Sequence, residues 1–277
     1  MQTIIKKMLR PIYDRPFCDH LRKWLGIRPP VFLRPLRTME AISDLFPWRV
    51  DDTWETQYEL MNLPSLLIPD KAEVDNVTVI TYDSGGNEIS RNIIELNPFE
   101  SKKILIRNLL KGATGQGTFG CFHSADSLGE IQKAGCHLVD RQYVSYSWKD
   151  DTFFNYAHGN IYGLSKLATE NKVRSLVPMR RKTQAYRPQL RFDDCDNFEL
   201  IYSNPAEKPL ELLVRLFDDN WNEIERRCSL IPSRGLEVLS FDNNSRELVL
   251  VENQSQIGLC RPIIFKHYES FFDVFHG

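Results

Sequence analysis

The feature that most constrains this chain is an internal duplication of its sequence. Residues 77–89 align without gaps with residues 212–224, 135 positions later. In both segments an alternating apolar run leads into an Asp-led turn, and a second run begins at Glu-Ile, which is the signature of a β-hairpin. Residues 153–159 (FFNYAHG) match 271–277 (FFDVFHG) at an offset of 118. The duplication predicts a unit of structure that occurs twice.

From about residue 65 onward, short β-rich runs alternate with Asp, Asn, Gly and Pro turns, and helical periodicity is weak. This pattern is typical of antiparallel β-sandwiches. At 277 residues and 42% hydrophobic content, the chain can bury a sizeable core. We therefore predict a mainly all-β fold of two tandem, internally duplicated antiparallel β-sandwich domains, Ig-like or jelly-roll-like, preceded by a short helical basic segment.

The predicted organisation has five parts. They are a basic amphipathic leader (1–37), an extended arm that opens with a short helix (38–62), the first sandwich (63–160), a linker (161–195) and the second sandwich (196–277). The linker is expected to carry a short helix at 161–170 and a basic stretch at 174–187. A connection of this length is long for a compact protein, so we expect it to pack across both sandwiches or to form a binding surface.

The leader differs in charge from the rest of the chain. It holds nine Lys or Arg against two acids, a net of +7, whereas the remaining residues carry −9. Its apolar residues recur at helical spacing, and a basic amphipathic helix with Trp can lie on an anionic membrane surface. The residues assigned to that surface are Lys6, Lys7, Arg10, Arg22, Lys23 and Trp24. The alternatives are docking on the acidic body of the same chain or on a partner protein.

Composition excludes several classes of protein. A net charge of −2 disfavours a nucleic-acid partner. The six cysteines contain no CxxC pair, and no run of about 18 apolar residues is present. The N-terminus lacks the features of a secretory signal. We therefore expect a cytoplasmic protein, peripheral at the inner face of the membrane if the leader binds there, with reduced thiols and no cofactor.

The two His-Gly ends of the duplicated segments are the sharpest candidate site. His158 and His276 occupy equivalent positions, so their imidazoles are expected to meet between the two domains. Histidine serves as a metal ligand or as an acid or base near neutral pH. The alternative is that His-Gly ends an edge strand in both copies. No spacing supplies a third ligand, so no metal site is predicted.

Strand alternation places Phe119, Cys121 and His123 on one face of a strand. A Cys and a His on one face can act as a nucleophile and its base, although most β proteins contain such neighbours for packing alone. His123 is therefore a candidate ligand-binding residue without an assigned role.

Residues 143–162 form the richest aromatic stretch of the chain, and exposed aromatic rings hold sugars or peptides in many binding sites. Tyr146, Trp148 and Tyr156 are the candidates from this stretch, and a core strand is the alternative. Arg180 and Arg181, in the basic linker, are candidates for binding an anionic group, and the alternative is pairing with the acidic body.

Together these features favour a non-enzymatic protein that recognises a glycan-like or protein ligand at the domain junction. The alternative is an enzyme or metal-dependent protein with a site around His158 and His276. A third possibility is assembly through exposed sandwich edges, and a homo-oligomer is compatible with each of the three.

Overall fold

The computed structural model describes residues 39–124, 126–133, 138–148, 153–159, 162–188, 191–242, 249–258 and 260–277. These residues belong to one compact unit. The predicted leader, with Lys6, Lys7, Arg10, Arg22, Lys23 and Trp24, lies outside the described residues, so its membrane-surface role stays a prediction.

The described chain consists mainly of strands, which confirms the predicted all-β class. The strands up to the linker are β1 (Glu40–Asp44), β2 (Phe46–Val50), β3 (Trp54–Met61), β4 (Asp75–Asp83), β5 (Glu88–Leu96), β6 (Ser101–Leu105), β7 (Gly115–Phe122), β8 (Val139–Asp140), β9 (Tyr143–Trp148), β10 (Asn155–His158), β11 (Tyr162–Leu167) and β12 (Val173–Ser175). Those that follow are β13 (Gln184–Tyr186), β14 (Asn197–Ser203), β15 (Leu210–Phe217), β16 (Glu223–Ile231), β17 (Leu236–Asp242), β18 (Leu250–Ser255), β19 (Ile263–His267) and β20 (Phe272–His276). Two short α-helices, α1 (Leu63–Leu67) and α2 (Leu128–Lys133), and two 3-10 helices, Pro69–Lys71 and Ile106–Leu109, lie between strands.

The two halves of the chain have the same sheet topology. The first repeat consists of the sheets β2-β7-β4-β5 and β10-β9-β3-β6, and the second consists of β13-β18-β15-β16 and β20-β19-β14-β17. Neighbouring strands in all four sheets are antiparallel. The duplication read from the sequence therefore extends to the order of all eight strands in each repeat.

The predicted hairpins are present and repeat in atomic detail. In the first repeat the amide of Asp83 donates to the carbonyl of Asn87, and the Asp83 carboxylate accepts from the Asn87 amide at 2.8 Å. Asp218 and Asn222 make the same two bonds in the second repeat, again at 2.8 Å for the side chain. The Asp side chain thus fixes the turn locally, which is why the turn could be read from sequence.

Each repeat also buries an asparagine at a matching position, which the sequence pattern did not indicate. Asn62 and Asn204 are both fully buried, and each side-chain amide donates to three backbone carbonyls. The acceptors are Glu73, Leu96 and Asn97 in the first repeat and Lys208, Ile231 and Pro232 in the second. These bonds tie together carbonyls that would otherwise be buried without a partner.

The second repeat packs one of its sheets directly against the first repeat. On one face of β20-β19-β14-β17, Leu200 and Ile264 belong to the core of the second sandwich. On the other face, the Phe265 ring lies 5.4 Å from Trp54 and 4.9 Å from Tyr146, both of the first repeat. This sheet is therefore apolar on both faces: one face belongs to the core of the second sandwich, and the other belongs to the core cluster of the first.

A third sheet, β12-β11-β1-β8, covers the outer face of the first sandwich, where Leu164 packs in one cluster with Tyr82 and Phe122. Two predictions about this sheet are wrong. The helix predicted at 161–170 is absent from the described residues, because residues 162–167 form β11. The helix predicted at the start of the arm is replaced by a strand, because residues 40–44 form β1. These two segments pair with each other, so a partner distant in sequence decides their conformation. The arm also contains β2 and β3, which are strands of the first sandwich.

Two arginines of the basic stretch of the linker form ion pairs with carboxylates elsewhere in the chain, which agrees with the alternative that this stretch pairs with the acidic body. An Arg174 Nη2 lies 2.6 Å from Glu40, which is buried, and an Arg187 Nη2 lies 2.6 Å from Glu252.

Candidate functional site at the junction of the repeats

The structure brings the two predicted histidines together, which confirms that part of the prediction. The rings of His158 and His276 lie 4.3 Å apart between centroids, with an angle of 39° between their planes. They meet because β10 and β20 lie side by side, joined by a 2.7 Å hydrogen bond from the Asn155 side chain to the Phe272 carbonyl. The meeting point is the edge where the two repeats join.

Both imidazoles are directed at one backbone carbonyl, that of Gly159. His158 Nδ1 lies 3.0 Å from this oxygen and His276 Nε2 lies 3.2 Å from it, while an Arg141 Nη2 donates to it at 3.1 Å. Because a carbonyl only accepts, each ring nitrogen facing it must carry its proton. Burial and the neighbouring His158 lower the pKa of His276 to about 4. His276 is therefore neutral at pH 7.

Asp44, at the end of β1, closes the cluster from the third sheet. The chain at Gly159 approaches Asp44 so closely that a β-carbon at position 159 would collide with the Asp44 carboxylate. Arg141 Nε lies 3.1 Å from Asp44 Oδ2, and Asp44 Oδ1 is buried with no hydrogen-bond partner among the residues that the structure describes. Burial raises the pKa of Asp44 to about 7, even though Arg141 acts in the opposite direction. Asp44 is therefore a carboxyl group that changes charge near neutral pH.

A second, fully buried set of polar groups lies behind this cluster. His123 Nδ1 lies 2.5 Å from Asp75, and His123 Nε2 lies 3.4 Å from Asp140, an ion-pair distance without hydrogen-bond geometry. The Tyr58 hydroxyl donates to Asp140. Burial alone would lower the pKa of His123, but the interactions with the carboxylates of Asp140 and Asp75 raise it to about 9. His123 is therefore a buried imidazolium between two carboxylates.

The sheet β10-β9-β3-β6 carries exposed aromatic rings next to the histidines, on strands β9 and β10. The Tyr143 ring meets Tyr156 and His158 edge-on, at 6.4 Å in both cases. Tyr143 is 53% exposed and Tyr156 is 44% exposed. These three rings form a surface that we call the junction face, defined as Tyr143, Tyr156 and His158.

Two of the predicted aromatic candidates do not lie on the junction face. The prediction that the Tyr146 ring is exposed is wrong. Tyr146 is fully buried, and its hydroxyl donates a hydrogen bond to the Pro47 carbonyl at 2.9 Å. Trp148 is half-buried and stacks on Trp54 at 6.2 Å. Residues 144, 146 and 148 alternate with 143 along β9, and it is the even-numbered side that faces the core.

The predicted pairing of a thiol nucleophile with a histidine base is disfavoured. Phe119 and Cys121 share the inner face of β7 as predicted, but Cys121 is fully buried and burial raises its pKa well above its ordinary value. His123 is buried as well. A thiol that stays protonated and shielded from solvent is not a nucleophile.

The structure places the basic candidates of the linker beside the second repeat. The amide of Arg180 donates to the Gln256 carbonyl at 2.7 Å, and Arg181 is exposed. Their role in binding an anionic group stays a prediction. Asp44, Asp75, Asp140 and Arg141 are residues of the two clusters that the sequence did not single out, because no local pattern connects acids separated by 31 to 96 positions.

Within the described residues, no helix is long and apolar enough to cross a bilayer. In the same part of the chain, no three side chains of His, Cys, Asp or Glu are grouped so that they could hold a metal ion.

The chain matches no protein-family model and no curated protein. Solved structures similar to parts of it include a β-D-glucuronidase for Dictyoglomus thermophilum, with 10% identity and a TM-score of 0.16 over 84% of this chain and 35% of that one. They also include the infectious bursal disease virus VP2 subviral particle, with 6% identity and a TM-score of 0.16 over 79% and 53%. A glycosyl hydrolase family 2 member from Bacteroides cellulosilyticus has 8% identity and a TM-score of 0.15 over 90% and 31%. The chain spans only a third to about half of these structures, and similarity at these TM-scores carries no argument about function.

Proposed function

We propose that this chain is a non-enzymatic binding protein that takes a glycan-like ligand on the junction face. One observation carries the proposal: three exposed rings, Tyr143, Tyr156 and His158, adjoin one another where the two repeats meet. Flat amphipathic rings offer a large contact area and lose few rotamers on binding, so a cluster of them is suited to holding a ligand.

The charges around the junction face favour an uncharged, hydroxyl-rich ligand. His276 is neutral at pH 7, and the neighbouring cation Arg141 is bound to Asp44 and to the Gly159 carbonyl. The hydroxyls of Tyr143 and Tyr156 offer both donors and acceptors without requiring an ion. A sugar ring presents hydroxyls at its edge and C–H groups on its face, which matches this surface.

The proposal is tested by titrating the full chain with cellohexaose, laminarihexaose, maltohexaose, mannohexaose and xylohexaose in a calorimeter. We expect at least one sugar to bind, and the double variant Tyr143→Ala and Tyr156→Ala to bind it about tenfold more weakly or worse. Phe99→Ala is the matched control, because Phe99 is a similarly exposed ring (54%) on a turn of the first repeat. Binding that the double variant leaves unchanged, or no binding of any of the five sugars, contradicts the proposal.

A second candidate function is acid–base catalysis at the same junction, around His158 and His276. Asp44 favours it, because a buried carboxyl with a pKa of about 7, and with an oxygen that accepts no hydrogen bond from the described part of the chain, is suited to proton transfer near neutral pH. Chromatography of each of the five sugars after incubation with the protein measures this activity. We expect the wild type to convert at least one sugar, and His158→Ala and Asp44→Asn to lose that conversion while both variants stay folded. Intact sugars after incubation with the wild-type chain count against this candidate.

We also propose that residues 1–37 hold the protein at the cytoplasmic surface of a membrane through an anionic lipid. The support is the net charge of +7 in this segment against −9 in the rest. Sedimentation with vesicles of phosphatidylcholine and phosphatidylserine tests it. Cosedimentation is expected for the full chain, with loss in high salt and in Lys6→Glu/Lys7→Glu/Arg10→Glu. Equal binding to vesicles of phosphatidylcholine alone contradicts it.

A further inference from the structure

One hairpin turn has different residues at the same position in the two repeats. In the first repeat the position is Gly86, with φ of 82°, and in the second it is Trp221, with φ of 64°. Backbone in this left-handed region is natural for glycine and strained for an L-residue with a side chain. A bulky aromatic residue at such a position is an outlier, and outliers of this kind point to a role for the side chain.

The two turns also differ in what they contact. A β-carbon at Gly86 would collide with the Ser233 carbonyl, because the first hairpin packs against the turn at residues 232–235 of the second repeat. The corresponding turn of the second repeat leaves the Trp221 side chain 51% exposed. Trp221 is therefore accommodated where close packing forbids a side chain in the first repeat.

The exposed indole lies against an arginine that is itself ion-paired. The Arg187 guanidinium lies 4.7 Å from the centre of the Trp221 ring. Arg187 is bound in turn to Glu252, whose side chain is buried and also accepts from Arg215. Phe217 lies 5.6 Å from the indole. A ring held in this way loses little conformational entropy when a ligand stacks on it.

Polar side chains surround the indole along the turn. Asp219, Asn220 and Asn222 are all exposed, and the Asn220 amide donates to Asp219 at 2.7 Å. Their carbonyl and carboxylate oxygens and remaining amide hydrogens are suited to the hydroxyls of a ligand that lies on the ring. The charges oppose ions of either sign, since Arg187 disfavours a cation, and Asp219 together with Asp218 disfavours an anion.

We propose that Trp221, together with Arg187 and the turn at residues 218–222, forms a second carbohydrate-binding site, in which the C–H face of a neutral pyranose ring stacks on the indole. This site is separate from the junction face and does not depend on it. The strained backbone is retained because it presents the ring to solvent.

The test follows the indole Nε1–H signal of Trp221 by NMR in the full chain, assigned by its absence from Trp221→Gly. The five hexasaccharides named above are the probes. We expect at least one of them to shift this signal in the wild type. In calorimetric titrations with that sugar, we expect Trp221→Phe to bind more weakly than the wild type and Trp221→Gly to lose about tenfold or more in affinity, without loss of thermal stability. Phe99→Gly is the matched control, because Phe99 is an exposed aromatic at a φ of 62°.

Outcomes at the two sites are distinguishable. If the junction proposal fails, the Trp221 signal still shifts, and it does so equally in the Tyr143→Ala and Tyr156→Ala double variant. The Trp221 proposal is overturned if none of the five sugars moves the signal. It is also overturned if Trp221→Gly binds as well as the wild type. Self-association of Trp221→Gly without any sugar-induced shift in the wild type would show instead that the ring keeps a second copy of the chain from docking on this turn.

Discussion

The two repeats have one strand order but bury different groups at matching positions. In the first repeat these are Tyr58, Asp75, His123 and Asp140, and in the second they are Leu200, Leu210, Ser255 and Cys260. The strand register establishes the match. Thr78 lies opposite Phe122, the residue before His123, and Leu213 lies opposite Gln254, the residue before Ser255.

The comparison teaches that the buried charges of the first repeat are not required by the fold, because the second repeat forms the same sheets without them. What the first repeat has in addition is the third sheet, and Asp140 belongs to its strand β8. The ion pairs of His123 therefore connect the third sheet to the sandwich and position Asp44 and Arg141 at the junction. Burying these charges is costly, so they serve position more than stability.

The largest expected effect comes from removing the central charge. His123→Ala leaves Asp75 and Asp140 buried without their counter-charge and is expected to lower the free energy of unfolding by about 3–5 kcal/mol. Ser255→Ala, at the matching position, removes one neutral hydrogen bond and is expected to cost about 1 kcal/mol. Urea unfolding of both variants measures the difference. Equal losses would remove the distinction between the two repeats.

The hairpin turns provide the next contrast. Gly86→Ala is expected to destabilise the chain by about 2–4 kcal/mol, because the added β-carbon meets the Ser233 carbonyl and the backbone has a positive φ. Trp221→Gly, at the same turn position, is expected to change the free energy of unfolding by less than about 1 kcal/mol, in the stabilising direction. Thermal melts of the two variants test this. A large loss in both would mean that the second turn is as closely packed as the first.

The buried asparagines test what the repeats have in common. Asn62→Ala and Asn204→Ala are each expected to cost about 1–3 kcal/mol, since each leaves buried carbonyls without donors. Because the bonding pattern is the same, the two losses measured by urea unfolding should agree within about 1 kcal/mol. A loss confined to one variant would show that only one repeat depends on its asparagine.

The last contrast separates the repeats by the pH dependence of their stability. The pKa of His123 is raised from 6.5 to about 9, so its contribution to stability is fully present below about pH 6.5 and is lost as pH rises through about 9. The wild type is therefore expected to lose more stability than His123→Ala between these two pH values. Ser255→Ala, which keeps His123, should follow the wild type. Parallel curves for the wild type and His123→Ala would show that the imidazole titrates with an ordinary pKa.

The sequence predicted local features well where one short segment contains both the cause and the result. The Asp-led turns at Asp83 and Asp218 contain the side chains that stabilise them, so their hairpins followed from composition and spacing. The equivalence of His158 and His276 also followed, because related segments in a duplicated fold occupy related places. The helix expected at 161–170 was wrong, because a run of six residues has no decisive period without its partner strand.

By itself, then, the sequence determined the β class, the duplication, the hairpin turns and the pairing of the two His-Gly ends. Tertiary structure alone decided which face of β9 turns inward, and hence that Tyr146 is core while Tyr143 is exposed. It alone brought Asp75 and Asp140 to His123 and shaped the exposed turn at Trp221. The physical reason is the range of the interactions: turn chemistry acts over four residues, whereas burial and ion pairing depend on strands that meet only after folding.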